Sequence, residues 1–556
     1  MKIGPGAARA RATVEQIFQA DVRSLAALRI VLAITVLIDL AIRATNLAVH
    51  YSNAGILPRA VQVNAVDPWQ FSLHVINDTV LFQAALFGST ALAALGMLVG
   101  YRTRLMTVIV WALVLSLQWR NFFVGSSADD LLHLLLFWAI FLPLGAVWSV
   151  DRWRGLEPEP PSMRVVSMGT AALFLQIAFM YWFTAVLKSG PEWRVDGTAL
   201  YYALSARQIG TPIGASLLQF PELLKVLTFG TLALEVIAPL VLFSPVFTVP
   251  ARLAGILAIV GLHLGIALTL SIGIFPLIGI TCMVAFLPGW FWDSALPRLR
   301  AALPDLAVTT HPAWQTLAGL GAGRPAWSRL ASFGAPGHLA LAGVPAHAAS
   351  SVPAYQGRGS GIGAPAVRAR SQRRADSPLR GSLVANALAA IFLVYVFCWN
   401  LAGVSAFSMP ASTRPLGVFL GLTQYWTMFA PYPTKGTTWH IVPGTLRDGR
   451  QIDLLPATIH DDPHRFAPIE WGEPRNIRDT FGGEERWRKY LESLSNGNSD
   501  ARLLAFGQYV CREWNGANGG TPSQLMTFDI IEMWQATLEE NQRGPVVQDV
   551  LWSHVC

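Results

Sequence analysis

The sequence is poor in charge and in cysteine for its length. Only 13% of its 556 residues are charged and 53% are hydrophobic, whereas soluble domains carry about 25% charged residues. This composition excludes a single soluble domain, a disordered chain and a collagen-like fibre. The four cysteines form no CxxC pair, so zinc ribbons and thioredoxin-like redox centres have no support. We therefore predict an integral membrane protein.

Lysine is rare as well. The formal net charge is +7, and only five residues are lysine, so arginine supplies most of the basic charge. The arginines lie between hydrophobic runs and form no module in which basic and aromatic residues alternate. This pattern is typical of membrane topology and not of nucleic-acid binding. We expect the lipid bilayer as a partner and no nucleic acid.

Hydrophobic stretches long enough to cross a bilayer recur along the chain, a crossing helix needing about 20 residues. The first stretch is too long for a signal peptide and no small-residue cleavage site follows it, so we expect an uncleaved anchor. The sequence predicts an all-α polytopic membrane bundle of about nine transmembrane helices, near residues 24–42, 79–100, 104–119, 130–148, 166–187, 224–243, 251–271, 272–290 and 382–405.

Arginine also indicates the orientation of these helices. It accumulates before the first span, in alternate loops that carry Arg102, Arg152 and Arg252, and in the segment before the last span. With nine spans, all of these segments fall on one side of the membrane, which should be the cytoplasmic side. We therefore predict a multi-pass protein of a bacterial inner membrane, with a cytoplasmic N-terminus and an extracytoplasmic C-terminal domain.

Composition divides the chain into five parts. We predict a cytoplasmic segment at 1–23, a membrane bundle of about eight spans at 24–293, a flexible linker rich in Arg, Gly and Pro at 294–381, a ninth transmembrane helix at 382–405, and a small α+β domain at 406–556. Alternating strands on either side of a turn at 447–450 indicate a hairpin in the last part. Cys511 and Cys556 both lie there and are candidates for a disulfide in an oxidising compartment.

Ionisable residues inside membrane spans are costly and usually line a cavity or a pathway. In the predicted topology they gather toward the outer ends of the helices, which predicts one pocket open to the outer leaflet. Its candidate residues are Asp39, Arg120, Asp129, Asp130, His133, Lys188, Trp193, Asp196, Glu235 and His263.

Lys188 directly follows an apolar helix end. Apolar surroundings disfavour the charged form of an ammonium group, which can turn a lysine into a general base. The alternative is a lysine that reaches out to the lipid headgroups. Glu235 and His263 form either an internal ion pair or part of a substrate pocket. Asp129 and Asp130 either complement a helix dipole or face the same pocket.

Several motifs follow one another in an order that resembles the horizontally transferred transmembrane (HTTM) domain, the membrane portion of vitamin K-dependent gamma-carboxylases. The resemblance covers about residues 20–293. It rests on Leu28-Arg29 with Asp39, segments 51–58, 119–121 and 148–151, the pair Asp129-Asp130, segment 181–188, Trp193 with Asp196-Gly197, Glu235, and His263 with segment 271–275. Segment 424–433 resembles the sequence that often follows the last span in bacterial members.

The resemblance implies an enzyme. In the carboxylases, the lysine at the position of Lys188 is thought to deprotonate a reduced naphthoquinone, a vitamin K-type quinol. Oxygen then turns the quinol into a base strong enough to remove a proton from a glutamate γ-carbon, and CO2 is the other co-substrate. By this resemblance Lys188 is the catalytic base for quinol-linked oxidation or carboxylation of a secreted peptide or protein. No metal is predicted.

The chain departs from the carboxylase pattern beside that lysine, where Ser189 stands in place of a second lysine. This departure motivates a second hypothesis, a non-enzymatic membrane partner in the maturation or export of a secreted peptide or protein. A transporter would need an inverted repeat or broken helices, and the sequence shows neither clearly.

Overall fold

A computed structural model describes residues 5–302 and 378–556, apart from 463, 498 and 539–541. The chain forms two units, one of Met1–Gly289 with Pro378–Cys556 and one of Trp290–Ser377. Most of the predicted linker at 294–381 lies outside the described residues. The predicted N-terminal segment contains a helix.

Helices make up most of the described chain. In chain order they are α1 Pro5–Phe18, α2 Val22–Ala44, α3 Leu47–Tyr51, α4 Arg59–Ala65, α5 Val80–Val99, α6 Thr103–Arg120, α7 Ser127–Ala139, α8 Val150–Trp153, α9 Met168–Leu187, α10 Pro191–Arg194, α11 Ala199–Ser205, α12 Pro212–Leu217, α13 Pro221–Leu242, α14 Thr248–Thr269, α15 Phe275–Met283, α16 Gly289–Ala302, α17 Leu383–Gly403, α18 Arg414–Leu420, α19 Leu455–His460, α20 Glu485–Leu494 and α21 Asp500–Asn518.

Six helices in the described residues are long and apolar enough to cross a membrane, namely α2, α5, α9, α13, α14 and α17. The number becomes seven if Phe275–Phe286 and Gly289–Arg298 are counted as one broken span. The six agree in place with six of the predicted spans. The chain is therefore a multi-pass membrane protein, but the structure does not confirm the predicted count of about nine.

The other three predicted spans differ from expectation. The stretch 130–148 overlaps α7, which has 13 residues and is about 20 Å long at 1.5 Å per residue, short of a bilayer core of about 30 Å. Its apolar residues are buried on nearly every side by protein. A helix in a protein core can therefore be as apolar as a membrane span, and composition alone does not distinguish the two. The stretch 272–290 contains α15, with nine residues. Helix α6 fills 104–119 but carries arginine near both ends.

The membrane bundle consists of the helices of residues 22–289 together with α17. Helix α9 lies at its centre. It packs against α7, α13 and α17, and 78% of its most apolar window is buried. Ser167 caps its first turn by accepting a hydrogen bond from the backbone N–H of Thr170, as expected for a capping box. The residue that follows its last turn, Lys188, is therefore held inside the protein.

Residues 406–556, the C-terminal region, contain an antiparallel five-stranded sheet. Its strands follow the two-residue strands β1 Ala20–Asp21 and β2 Arg164–Val165 and are β3 Gly436–Ile441, β4 Pro443–Leu446, β5 Gln451–Asp453, β6 Leu525–Thr537 and β7 Arg543–Val555. Strand β6 is central, because β3 and β4 pair with successive parts of it and β7 pairs along its length. Cys511 of α21 and Cys556 form a disulfide with a Cα–Cα distance of 5.5 Å.

Candidate functional site

A cavity of about 630 Å³ is enclosed by the membrane bundle on one side and by the C-terminal region on the other. Its bundle side is formed by the end of α9 with parts of α13, α14 and α15. Its C-terminal side is formed by segment 427–434, by one face of α20 and by residues of β3 and β6. The volume lies within the usual range of small-molecule sites, about 300–1,000 Å³.

Lys188 lies on the bundle side of the cavity and points inward. Its side chain is 4% exposed and forms an ion pair with Glu235 of α13, while Nζ lies 4.4 Å from the ring centroid of Trp193. The ammonium group is therefore stabilised by a carboxylate and by the face of an indole ring. The hypothesis that Lys188 reaches the lipid headgroups is wrong.

The end of α9 holds this lysine in place through its backbone. The N–H of Lys188 donates to the carbonyl of Thr184 at 3.1 Å. Arg194 donates from Nε to the carbonyl of Lys188 at 2.9 Å and from Nη2 to the carbonyl of Ala185 at 3.3 Å. An arginine that binds the last carbonyl groups is a known way to end a helix. It leaves the Lys188 side chain free to turn toward the cavity.

Glu235 and His263 do not form the ion pair that was one reading of the sequence. Glu235 pairs with Lys188, and Nε2 of His263 lies 2.8 Å from the hydroxyl of Tyr181. Both side chains line the cavity, as does Tyr181. Within the described residues, Oε2 of Glu235 is buried with no hydrogen-bond partner. It is an acceptor that a bound ligand could satisfy.

Helix α20 supplies the charged wall opposite. Arg488 binds both Glu485 and Glu492, and Lys489 lies 3.2 Å from Glu492. Burial disfavours the charge of Arg488, but the two glutamates outweigh this cost and raise its pKa. Both basic side chains are thus paired, and the wall presents mixed charges.

Segment 427–434 is held over the bundle side by backbone contacts. The indole N–H of Trp193 donates to the carbonyl of Phe429 at 2.9 Å, and the N–H of Gly190 donates to the carbonyl of Pro431 at 3.2 Å. A Cβ at Gly190 would lie 2.5 Å from the ring of Tyr432, so the close approach requires glycine. The segment therefore lines the cavity as an ordered wall.

Asp39 and Asp129 belong to a second, separate cluster. With Arg43 and Arg486 they form a buried group of four charges, in which Asp39 lies 2.7 Å from Arg43 and 2.5 Å from Arg486. Asp129 also contacts both arginines. Two guanidinium groups and two carboxylates balance one another, and Arg486 of α20 thereby fixes the C-terminal region to the bundle.

The remaining predicted pocket residues do not line the cavity. Arg120 donates to the carbonyl groups of Ser52 and Leu57 at 3.1 and 2.9 Å. His133 lies 2.7 Å from Gln118 and 2.6 Å from the carbonyl of Gly421. Asp130 is half-buried and Asp196 is exposed. Of the predicted set, the structure brings together Lys188, Trp193, Glu235 and His263.

Other motif residues support loops. Arg29 donates to the carbonyl groups of Leu144 and Trp148 at 3.0 and 2.5 Å. Asp151 accepts hydrogen bonds from the N–H and the hydroxyl of Thr103, each at 2.7 Å. These contacts fix the loop after α7 to α2 and to the start of α6. The motifs that contain Arg29 and Asp151 therefore have a structural role.

A family model described as the HTTM domain matches residues 18–290. Residues 18–290 form an HTTM domain. This is a membrane domain found in vitamin K-dependent carboxylase-like proteins. No curated protein and no solved structure matches the chain. The HTTM domain supplies Lys188, Glu235, Tyr181 and His263, whereas α20 and segment 427–434 lie outside it. The cavity is thus completed by the part of the chain beyond the HTTM domain.

Several cavity and cluster residues were not predicted from the sequence, among them the charged residues of α20. Tyr181 lies in segment 181–188, one of the motifs that resemble the HTTM domain, but its sequence context predicts no role for it. Arg43 follows Asp39 by four residues, a spacing that places both on one helix face and could have revealed the pair. Arg486 had no signal, because its partner Asp39 lies 447 residues away.

A metal centre has no support in the part of the chain that the structure describes. No group of three or more His, Cys, Asp or Glu side chains there could hold a metal ion. The remaining cysteines, Cys282 and Cys398, are unpaired; Cys282 is buried and Cys398 is half-buried.

Proposed function

We propose that this protein catalyses quinol-linked oxidation or carboxylation of a peptide substrate, with Lys188 as the base. The observation that carries the proposal is the buried Lys188–Glu235 pair in a cavity large enough for a small molecule. The occurrence of the HTTM domain in carboxylase-like proteins supports the same class of chemistry.

A reduced naphthoquinone suits the bundle side of the cavity. Leu262, Ile266, Leu270 and Phe275 offer apolar contacts there, and the unpartnered Oε2 of Glu235 can accept a hydrogen bond from a phenolic hydroxyl. When bound, this group supplies, with oxygen, a base strong enough to remove a proton from a glutamate γ-carbon, to which CO2 can then add. Its apolar ring system would enter from the lipid between helices.

Lys188 and Glu235 together can accept the proton of that hydroxyl. A buried pair exists either as ammonium and carboxylate or as amine and carboxylic acid, with the same total charge. When Glu235 holds the shared proton, the free amine of Lys188 can take a second one. The indole face of Trp193, 4.4 Å away, then stabilises the ammonium ion that forms.

The C-terminal region would present the peptide substrate. Its mixed-charge wall on α20 faces the same cavity, as polar side chains do where they orient a ligand. We place this region outside a bacterial inner membrane and the N-terminus in the cytoplasm. The Cys511–Cys556 disulfide supports this orientation, because disulfides persist in oxidising compartments, and the loop arginines support it as well.

The test uses the full chain in lipid nanodiscs with a reduced naphthoquinone and measures oxygen consumption. Lys188→Arg keeps the cation and its ion pair but cannot release a proton at usable pH, so we expect the rate to fall by about 10²–10⁴-fold. Lys188→Ala should lose activity to a similar degree. Lys225→Ala, which removes an exposed lysine from the helix that carries Glu235, should leave the rate unchanged. An active Lys188→Arg variant would overturn the proposed role.

One observation favours the non-enzymatic alternative, a membrane partner in the maturation or export of a secreted protein. Lys188 and Glu235 form a buried ion pair, as do pairs that only fix helix packing. Under this alternative the wild-type protein consumes no oxygen with any quinol. A secreted protein would instead be retained by the wild-type protein and by Lys188→Arg alike in a pull-down experiment.

A further inference from the structure

A second cavity, of about 170 Å³, lies in the C-terminal region between α19 and α21. We propose that it binds the positively charged side chain of a lysine or arginine on a peptide. The proposal is independent of the quinol chemistry, because none of the residues that line this cavity lines the larger one.

The charges around this cavity are mostly negative. Asp461, Asp462 and Glu513 line it, and Glu513 forms an ion pair with Arg512 at 3.0 Å. In residues 5–302 and 378–556, no lysine or arginine forms an ion pair with Asp461 or Asp462. Asp462 accepts one hydrogen bond, from the N–H of His464 at 2.9 Å. Two uncompensated carboxylates therefore border the space.

Aromatic rings form another wall. Tyr509 and Trp514 line the cavity and are only 3% and 4% exposed. The indole N–H of Trp514 donates to the carbonyl of Ser523 at 2.9 Å, which fixes the orientation of its ring. An organic cation held against such rings gains a cation–π attraction that is strongest where water is excluded.

The hydroxyl of Tyr509 lies among the carboxylates without a partner. Within the described chain, no hydrogen bond to or from this hydroxyl is formed. Burial raises the pKa of Tyr509, and the nearby charges of Asp461 and Glu513 raise it further against the smaller, opposite effect of Arg512, so the hydroxyl stays protonated. It can accept a hydrogen bond from an N–H donor, which an ammonium or a guanidinium group supplies.

Size and geometry select an organic cation over a metal ion. The described carboxylates do not converge closely enough to hold a metal. The cavity has room for about six water molecules at about 30 Å³ each, which matches a guanidinium or ammonium group with part of its alkyl stem. Leu454, Ala457 and Val510 offer apolar contact to that stem.

The experiment measures peptide binding to the full chain in lipid nanodiscs by isothermal titration calorimetry. The probes are capped octapeptides of Gly and Ser with one central lysine or arginine, each compared with its neutral analogue, norleucine or citrulline. We expect the charged peptides to bind about tenfold more tightly than the neutral ones, and this difference to shrink in 1 M salt. Equal binding of the two members of a pair, or no binding of any peptide, would overturn the proposal.

Variants separate this cavity from general surface charge. Asp461→Asn should reduce the preference for lysine over norleucine several-fold, and Tyr509→Phe should weaken binding of the charged peptides without altering the thermal unfolding of the protein greatly. Asp500→Asn removes an exposed carboxylate at the start of the same helix, α21, and should have no effect. If Asp500→Asn reduces binding as much as Asp461→Asn does, the attraction is a general surface effect and the assignment of the cavity is wrong.

Discussion

Lys188, at the end of α9, and Glu235, in the middle of α13, form an ion pair 47 residues apart in sequence and almost fully buried. Each charge has lost its water, so each depends on the other for compensation. This relationship joins the two helices that border the cavity. It also means that any chemistry of the amine involves the carboxylate.

Removal of one partner should therefore destabilise the protein much more than removal of both. We expect Lys188→Met to lower the free energy of unfolding by about 3–5 kcal/mol, because it leaves a buried carboxylate unpaired. The double variant Lys188→Met/Glu235→Gln should recover most of this loss. Thermal unfolding in detergent measures the difference.

The control for this comparison is the exposed pair Arg450–Asp448. Asp448→Ala should cost far less than Lys188→Met, because an exposed ion pair is screened by solvent. If Lys188→Met costs as little as this control, the pair is not structurally coupled and Glu235 cannot be the compensating charge.

Arg486 is expected to be essential for attachment of the C-terminal region. It contacts both Asp39 and Asp129, and Arg486→Ala would leave the four-charge cluster with one net negative charge in a buried site. We expect a loss of about 3–5 kcal/mol and faster proteolysis between α17 and β3. Arg475→Ala, at an arginine that is exposed, should not change the digestion rate; equal digestion of both variants would contradict the role of Arg486.

The sequence predicted the membrane helices from their apolar runs but failed for α7. A run of apolar residues indicates that a segment is removed from water, but it does not show whether lipid or protein surrounds that segment. The sequence also predicts helices near 483–496 and 500–514, and α20 and α21 agree with them, because amphipathic periodicity is local. The alternating stretch 451–455 predicts a strand as far as 455, whereas β5 ends at Asp453 and α19 begins at Leu455.

The candidate site was predicted only in part, for a related reason. Lys188 was identified because an ionisable group at the end of an apolar helix is locally unusual. Its pairing with Glu235, and the pairing of Asp39 with Arg486, depend on how distant helices pack, and one sequence holds no record of that. The costly charged residues of the spans therefore belong to two different places, the cavity and the structural cluster. No local sequence pattern distinguishes the members of one from those of the other.

Gly279 is expected to control the position of His263. A Cβ at Gly279 would lie 2.1 Å from the His263 ring, so Gly279→Ala must displace the imidazole from Tyr181. Overpacking of this kind costs about 1–3 kcal/mol, measured as a lower midpoint of thermal unfolding. Gly265→Ala is the matched control, since it lies on the same helix as His263 and meets no atom within 4 Å. Equal effects of the two variants would show that the ring can move freely.

The stability of the C-terminal region should fall in mild acid because of His440. This side chain of β3 is buried, 3.5 Å from the hydroxyl of Ser495 and 3.9 Å from Glu532. Burial lowers its pKa from 6.5 to about 4, although the charge of Glu492 acts in the opposite direction. The folded state thus binds fewer protons than the unfolded state between these two values, so stability is complete above pH 6.5 and decreases as the pH falls toward 4. The full loss is about 3 kcal/mol at about 1.4 kcal/mol per pKa unit.

His440→Gln should remove this part of the pH dependence in denaturant unfolding, while His464→Gln, at an exposed position, should not. A wild-type curve that stays parallel to that of His440→Gln from pH 7 to pH 4 would contradict the assignment.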